Sequence, residues 1–189
     1  MSRSAPKALL LFPGAGSSAD HPSLQAIERA LAPVPVARRD FPYRREGRRA
    51  PDRAPKLVAT VVEEAAAVAE ELAVPARRIA LGGRSMGGRM CSMAVAEGLP
   101  AAALVLVSYP LHPPGRPERL RTDHFPELRV PCLFVSGTRD AFGSPEALEH
   151  HTAAIPGPVT HEWVEGKAHD LRGVDDRVAE VVARWLRAL

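Results

Sequence analysis

Short runs of apolar residues alternate along the whole chain with longer segments of helical periodicity. The runs predicted to be strands are Ala8–Phe12, Val34–Arg38, Arg78–Leu81, Ala102–Val107, Leu133–Val135 and Val159–Val164. Ala8–Phe12 is apolar at every position and Ala102–Val107 carries no charge. Continuous apolar runs of this length are typical of strands buried on both faces of a parallel sheet.

The segments between these strands have the spacing of helices. From Lys56 to Leu72 apolar residues recur every three or four positions, and Pro75 ends the segment. The other predicted helices are the region around Ser23–Ala32, Met86–Glu97, Pro145–Ala154 and Val174–Leu189. Arg39–Pro55 and Tyr109–Arg129 are predicted to be loops because their prolines and glycines prevent a long regular element.

Strands that alternate with helices form βαβ units. The predicted class is therefore α/β, with a mostly parallel central sheet of about six strands and helices on both faces. The 189 residues fit one domain, and no repeat, linker or low-complexity block divides them. A single domain over residues 1–189 is expected.

Composition indicates the class of protein and the compartment. Hydrophobic residues make up 46% and charged residues 25%, which excludes a disordered or fibrous chain. The two cysteines, Cys91 and Cys132, cannot form a disulfide framework and favour a reducing compartment. The first apolar run is shorter than a secretory signal, and no run approaches the length of about 20 residues that spans a bilayer. A cytoplasmic protein with no membrane partner is expected.

The net charge of +3 is concentrated in one place. Seven arginines and three acidic residues between Arg38 and Arg53 contribute +4, so the rest of the chain sums to −1. Phe41 and Tyr43 interleave this segment, a pattern compatible with binding a nucleic acid or an anionic substrate. A solvated surface loop is the favoured interpretation, and no nucleic-acid partner is expected.

The strongest chemical signal is G-R-S-M-G at residues 83–87, which matches G-x-S-x-G. A nucleophile elbow needs a strand before this motif and a helix after it. The predicted strand Arg78–Leu81 and helix Met86–Glu97 supply both, and side chains at the two glycines would collide with their surroundings. Ser85 is the predicted nucleophile, and the N–H of Met86 is a predicted oxyanion donor. The alternative interpretation is a glycine-rich turn without chemistry.

An acid and a base are expected later in the chain, in the order Ser, Asp or Glu, His. Asp140 follows the fifth predicted strand and His169 follows the sixth. The carboxyl ends of parallel strands lie at one edge of the sheet, so both residues should lie beside the elbow. Asp170 competes with Asp140 but is too close in sequence to His169 to reach its Nδ1. His161 competes with His169 but starts the last strand, at the opposite edge.

The loop after the first strand is expected to supply the second oxyanion donor. The N–H of Ala15 is the first choice and that of Gly16 the second. The same loop matches the dinucleotide fingerprint G-x-G-x-x-A from Gly14 to Ala19. That fingerprint requires a helix opening at the second glycine, and Pro22 would then fall inside the helix. No nucleotide or other cofactor is expected, and no cluster has metal-ligand spacing.

The connection after the fourth strand begins with Tyr109 and carries His112. Either these side chains line the pocket, or they pack the proline-rich connection. Both alternatives remain open from the sequence.

Several stretches of the chain resemble a known family. They are residues 83–90 (GRSMGGRM), 109–115 (YPLHPPG) and 136–143 (SGTRDAFG), with agreement at 12–16, 21–22 and 41–43. They are similar to α/β hydrolases of the dienelactone-hydrolase-like branch. More narrowly, they resemble the α/β-hydrolase-like domain of a subunit of the NSL histone acetyltransferase complex and its small bacterial relatives. Dienelactone hydrolases typically use cysteine as the nucleophile, so Ser85 argues against that reaction. Pro13 stands where many relatives have histidine.

The resemblance implies a minimal α/β-hydrolase fold with an esterase-type site. Only about 23 residues separate the strands where lids usually insert, so no separate lid domain is expected. The predicted activity is a serine hydrolase acting on a small-molecule ester or thioester. In it Ser85 attacks, His169 acts as base and then acid, Asp140 orients the imidazole, and Met86 and Ala15 hold the oxyanion.

Two other functions remain possible from the sequence. One is a protein-interaction module that retains the fold with little activity. The other is a nucleic-acid binder driven by the arginines. No feature of the sequence predicts an oligomeric state.

Overall fold

The computed structural model describes residues 5–189, which contain a sheet of six parallel strands. The strands are β1 (Ala8–Phe12), β2 (Val36–Arg38), β3 (Ile79–Arg84), β4 (Leu104–Val107), β5 (Cys132–Gly137) and β6 (Val159–Val164). Their order is β2-β1-β3-β4-β5-β6, and each neighbouring pair is parallel. The α/β class and the parallel six-stranded sheet are therefore confirmed.

Six α-helices cover both faces of this sheet. They are α1 (Pro22–Leu31), α2 (Pro42–Arg45), α3 (Ala54–Glu71), α4 (Met86–Ala96), α5 (Pro145–Thr152) and α6 (Asp175–Arg187). Successive residues of β1 point to opposite faces, as the pleat requires. Leu9 and Leu11 pack with α1 and α6, whereas Leu10 and Phe12 pack with α3 and α4. Two apolar layers thus sandwich the sheet.

The strand order indicates where on the sheet a ligand would bind. Chain connections lead from β1 outward to β2, and from β3 outward through β4 to β6. The order therefore reverses between β1 and β3, and in open parallel sheets ligands bind at the carboxyl ends of the strands at such a point. The loops after β1 and β3 flank this crevice.

The predicted loop Arg39–Pro55 was partly wrong, because two of its prolines lie in the first turns of helices. Within the predicted loop Arg39–Pro55, Pro42 begins α2, and Pro55 lies in the first turn of α3. The first turn of a helix tolerates proline because its N–H groups have no intrahelical acceptor. β3 also continues past its predicted end at Leu81, since Gly82 and Gly83 pair with β4.

Between β4 and β5 the chain forms only a short 3₁₀ turn at Phe125–Glu127, so residues 5–189 contain no separate lid, as predicted. Within the same residues no helix has the length and hydrophobicity needed to cross a lipid bilayer.

Candidate active site

Ser85 occupies a strained turn between β3 and α4. Its φ of 50° and ψ of −114° lie in a region that non-glycine residues rarely adopt. Two backbone hydrogen bonds hold the turn: the N–H of Ser85 donates to the carbonyl of Val107 (2.8 Å), and its carbonyl accepts from the N–H of Arg89 (3.1 Å). The hydroxyl is thereby presented at the carboxyl edge of the sheet.

Both glycines of the motif are required by the close passage of β1. A Cβ at Gly83 would lie 2.1 Å from the carbonyl oxygen of Phe12, and one at Gly87 would lie 2.3 Å from the same atom. The predicted collision is confirmed. Its cause is the end of β1, which runs against the elbow.

The structure brings the three predicted side chains into one hydrogen-bonded chain. His169 Nε2 lies 2.9 Å from Ser85 Oγ, and His169 Nδ1 lies 2.8 Å from Asp140 Oδ2. An ionised carboxylate can only accept a hydrogen bond, so Nδ1 carries the imidazole proton. Nε2 is left as the acceptor for the hydroxyl proton of Ser85.

Asp140 and His169 are themselves held in place. The side chain of Asp140 is fully buried, and its second oxygen accepts the N–H of Phe142 at 2.8 Å. The ring of Phe142 packs edge-on against the imidazole of His169, with the centroids 4.5 Å apart. The N–H of Arg139 donates to the carbonyl of Lys167 at 2.8 Å, which joins the two loops.

Neither competing residue belongs to this chain of hydrogen bonds. Asp170 is exposed, and its carboxylate accepts the N–H of Arg172 at 3.3 Å. His161 lies within β6, where its Nε2 is 2.9 Å from Thr152 Oγ1 and its ring stacks on Trp163. Burial lowers the pKa of His161.

Two backbone N–H groups beside Ser85 are available to a ligand. Met86 is the first residue of α4, so its N–H has no intrahelical acceptor. The N–H of Ala15 makes no hydrogen bond within residues 5–189. Both residues line the cavity that contains Ser85. The buried Tyr43 donates its hydroxyl to the carbonyl of Ala15 at 2.8 Å, which holds that loop.

Arg84 is a site residue that the sequence analysis missed. Its buried guanidinium donates from Nη2 to the carbonyl of His169 (3.1 Å) and from Nη1 to Nε2 of His21 (2.6 Å). On the other side of the ring, Nδ1 of His21 lies 2.8 Å from Ser23 Oγ and 3.2 Å from the backbone nitrogen of Ser23, at the start of α1. Burial and the charge of Arg84 lower the pKa of His21. Arg84 occupies a variable position of G-x-S-x-G, and nothing in the motif signals this contact.

A cavity of about 310 Å³ opens beside Ser85 and His169. Its other walls come from Ala15, Pro51, Asp52, Ala54, Leu57, Met86, Arg89, Pro110, Pro114, Arg121 and Phe142. Tyr109 and His112 are not part of the lining. Tyr109 is buried and donates its hydroxyl to the carbonyl of Arg121 at 2.7 Å, so it packs the connection.

The loop after β1 does not have the geometry that a dinucleotide needs. α1 begins at Pro22 and not at Gly16, so the helix does not open at the second glycine as the fingerprint requires. Asp40 follows β2, where a dinucleotide site would need a ribose-binding acid, but its carboxylate accepts the N–H of Ala19 at 2.8 Å. Among the described residues no three His, Cys, Asp or Glu side chains are grouped so as to hold a metal ion.

Residues 5–183 match the family described as an alpha/beta hydrolase domain. Among solved structures, an alpha-beta serine hydrolase homologue from Coxiella burnetii aligns with a TM-score of 0.76 at 18% identity, over 96% of this chain and 88% of its own. Dienelactone hydrolase from Anabaena variabilis aligns with a TM-score of 0.74 at 16% identity, over 97% and 87%. The RedJ thioesterase from Streptomyces coelicolor aligns with a TM-score of 0.70 at 19% identity, over 98% and 91%. Identities this low show a shared fold.

Proposed function

The chain belongs to the alpha/beta hydrolase family, and from that premise we propose that it is a serine hydrolase of small or modest carboxylic esters or thioesters. The observation that carries the proposal is the hydrogen-bonded chain from Ser85 through His169 to Asp140, which opens on the cavity. Serine hydrolase and thioesterase chemistry are both named among proteins that share this fold, which supports the ester or thioester class.

In the proposed first half-reaction Ser85 Oγ attacks the acyl carbonyl carbon. Its proton passes to Nε2 of His169, 2.9 Å away, and Asp140 stabilises the imidazolium through the bond to Nδ1. The negative charge that develops on the carbonyl oxygen is held by the N–H groups of Met86 and Ala15. His169 then returns the proton to the leaving alcohol or thiol, and an acyl-enzyme remains.

In the second half-reaction water attacks the acyl-enzyme. His169 takes the proton of the water and afterwards donates it to Ser85 Oγ, which releases the acid. The same two N–H groups hold the second tetrahedral intermediate. The turn at Ser85 does not have to change during the cycle, because its strained geometry already places Oγ beside the imidazole.

The test is covalent labelling by a fluorophosphonate together with hydrolysis of short and long p-nitrophenyl esters. Ser85→Ala is expected to abolish both and to leave the far-UV circular dichroism unchanged. Ser144→Ala is the matched control, since that hydroxyl caps α5 and does not line the cavity. Equal labelling of wild type and Ser85→Ala would refute the nucleophile. A folded wild type that neither reacts with the probe nor hydrolyses any ester would favour the alternative, an interaction module with this fold.

A further inference from the structure

Two arginines share the cavity with the candidate nucleophile. Arg89 lies on α4 four residues after Ser85, so the two residues lie on the same side of the helix. Arg121 comes from the connection between β4 and β5. Both side chains line the cavity that contains Ser85 and His169.

Neither guanidinium has an acidic partner among the described residues. Within residues 5–189 no carboxylate lies within 4.0 Å of Arg89 or Arg121. Nε of Arg89 is buried and makes no hydrogen bond, and its Nη1 contacts only Met93 Sδ at 3.5 Å. Nη1 of Arg121 reaches one carbonyl oxygen, that of His112, at 3.4 Å. Buried polar groups without partners are uncommon in proteins, so this arrangement needs an explanation.

The positive charges of Arg89 and Arg121 are not neutralised by the acidic residue that shares their cavity. Burial lowers the pKa of both arginines, and the positive charge of Arg121 lowers that of Arg89 further. Asp52 also lines the cavity, but its carboxylate is bonded to Arg48 (3.0 and 3.1 Å) and paired with Lys56 (3.2 Å). The cavity is therefore a partly desolvated space with two cations and no available counter-charge.

We propose that Arg89 and Arg121 form an anion-binding subsite, so that the substrate is an ester or thioester whose non-reacting part carries a carboxylate or a phosphate. The planar guanidinium group matches either anion with two parallel hydrogen bonds. A cavity of about 310 Å³ suits a compact acid. The inference rests on the proposed function, because it assigns the substrate class of that same site.

Matched pairs of esters test the subsite. In each pair one ester carries the anion and its twin carries a neutral methyl ester in its place. The anion is a carboxylate on the acyl chain (4-nitrophenyl adipate), a phosphonate on the acyl chain, or a carboxylate on the leaving group (the acetyl ester of 4-hydroxybenzoate). The measurement is the ratio of kcat/KM between the twins, which reports preference independently of the overall rate.

At least one pair is expected to favour the anionic twin by roughly tenfold to a hundredfold, the range for hydrogen bonds to charged groups. Arg121→Gln and Arg89→Gln should each lower this ratio about tenfold or more. Arg121 lies in a connection outside helices and strands, so its variant keeps the test valid if Arg89→Gln does not fold. Arg177→Gln, an exposed change of the same charge on α6, should leave the ratio unchanged. A preference in a carboxylate pair indicates a substrate with a carboxylate, and a preference in the phosphonate pair indicates a substrate with a phosphate.

Failure of the subsite and failure of the hydrolase give different results. If the wild type hydrolyses the neutral twins in a Ser85-dependent way and shows no preference in any pair, the subsite is refuted and the hydrolase stands. If no ester is hydrolysed, calorimetric binding of adipate and of inorganic phosphate to wild type and Arg121→Gln decides. Binding that weakens at least tenfold in the variant supports the subsite without the hydrolase, and no binding to the wild type overturns it.

Discussion

Two groups of arginines in this protein carry their charge in opposite ways. The first is the basic segment, residues 38–53, and the second is the cavity pair, Arg89 and Arg121. In the basic segment Arg38 contacts Asp20 and Glu28, Arg39 contacts Glu64 and Glu71, Arg45 contacts Glu64, and Arg48 contacts Glu46 and Asp52. Much of the charge that the sequence concentrates there is thus neutralised in the fold.

The cavity pair shows the reverse. Its two arginines lie 32 positions apart in the sequence and belong to no charge run, yet they meet in a cavity without a carboxylate partner. The density of charge along a chain therefore does not indicate where charge is available to a ligand. Availability depends on which acidic side chains the fold brings to each arginine. The segment is also not a simple solvated loop, because it contains α2 and buries Phe41 and Tyr43.

The largest expected effect is on kcat and comes from Asp140, the acid that orients His169, when it is compared with an acid of the basic segment. Asp140→Asn should lower kcat by roughly 10⁴-fold, because an amide in place of the carboxylate favours the wrong imidazole tautomer. Steady-state hydrolysis of a p-nitrophenyl ester measures this. Glu64→Gln, which removes the carboxylate shared by Arg39 and Arg45 in the basic segment, should leave kcat within about twofold.

Asp170→Asn is the matched control at the site, since this carboxylate accepts the backbone N–H of Arg172 and is not bonded to His169 in the chain of hydrogen bonds through Asp140. It should change kcat far less than Asp140→Asn. The reverse ranking would show that the wrong acid has been assigned.

A smaller effect is expected from Arg84, the buried arginine that does find partners at the site. Arg84→Met removes the hydrogen bond to the carbonyl of His169, so the imidazole should be less well positioned. We expect kcat to fall roughly tenfold to a hundredfold, the equivalent of one or two charge-assisted hydrogen bonds, with little change in KM. Arg39→Met, in the basic segment, is the control. A rise in KM at constant kcat would argue against a positioning role.

The pKa of His124 should respond to the positive charge of Arg89, one of the cavity pair. Burial and the neighbouring charge of Arg89 lower the pKa of His124 to about 4. Arg89→Gln should raise this pKa, and Arg48→Gln, in the basic segment, should leave it in place. An NMR titration of the imidazole measures both, and equal shifts in the two variants would contradict the comparison.

The same pKa has a consequence for stability. A histidine with a pKa near 6.5 in the unfolded chain and about 4 in the folded one binds more protons when unfolded, so stability is lost as pH falls between these values. The loss at pH 5 relative to pH 7 amounts to about 2 kcal/mol. Urea unfolding at the two pH values should show this loss in the wild type and a smaller one in His124→Gln. An undiminished loss in the variant would assign the effect to other groups.

The smallest effect is expected from an ion pair of the basic segment. Arg39→Gln removes the contacts with Glu64 (3.0 Å) and Glu71 (2.6 Å) near the surface. Such pairs contribute about 0–1 kcal/mol each, so losing both should lower the free energy of unfolding by no more than about 2 kcal/mol. Chemical denaturation measures it. A loss of several kcal/mol would show that this segment is a structural anchor.

Features that depend on a few neighbouring residues were predictable from the sequence. The continuous apolar runs of β1 and β4 identified buried parallel strands, and the elbow could be placed because strand, turn and helix follow one another within about twenty residues. The positions of Asp140 and His169 followed from one topological rule, that parallel strands end at the same edge. The narrower resemblance to the domain of the acetyltransferase complex, and the single domain over residues 1–189, stay predictions.

Contacts between distant positions were decided only by the tertiary structure. Arg84 meets His21, 63 positions away, and the carbonyl of His169, 85 positions away. In contrast, no carboxylate among residues 5–189 lies within 4.0 Å of Arg89 or Arg121. Prolines that indicated loops proved to lie in the first turns of α2 and α3, because a first helical turn tolerates proline and packing stabilises these helices. The spacing of apolar residues and the conformational limits of proline and glycine act within one turn or strand. Elements that depend on them can therefore be predicted from neighbouring residues in the sequence. The pairing of charges depends on distances in space, which the packing of the two helix layers on the sheet sets.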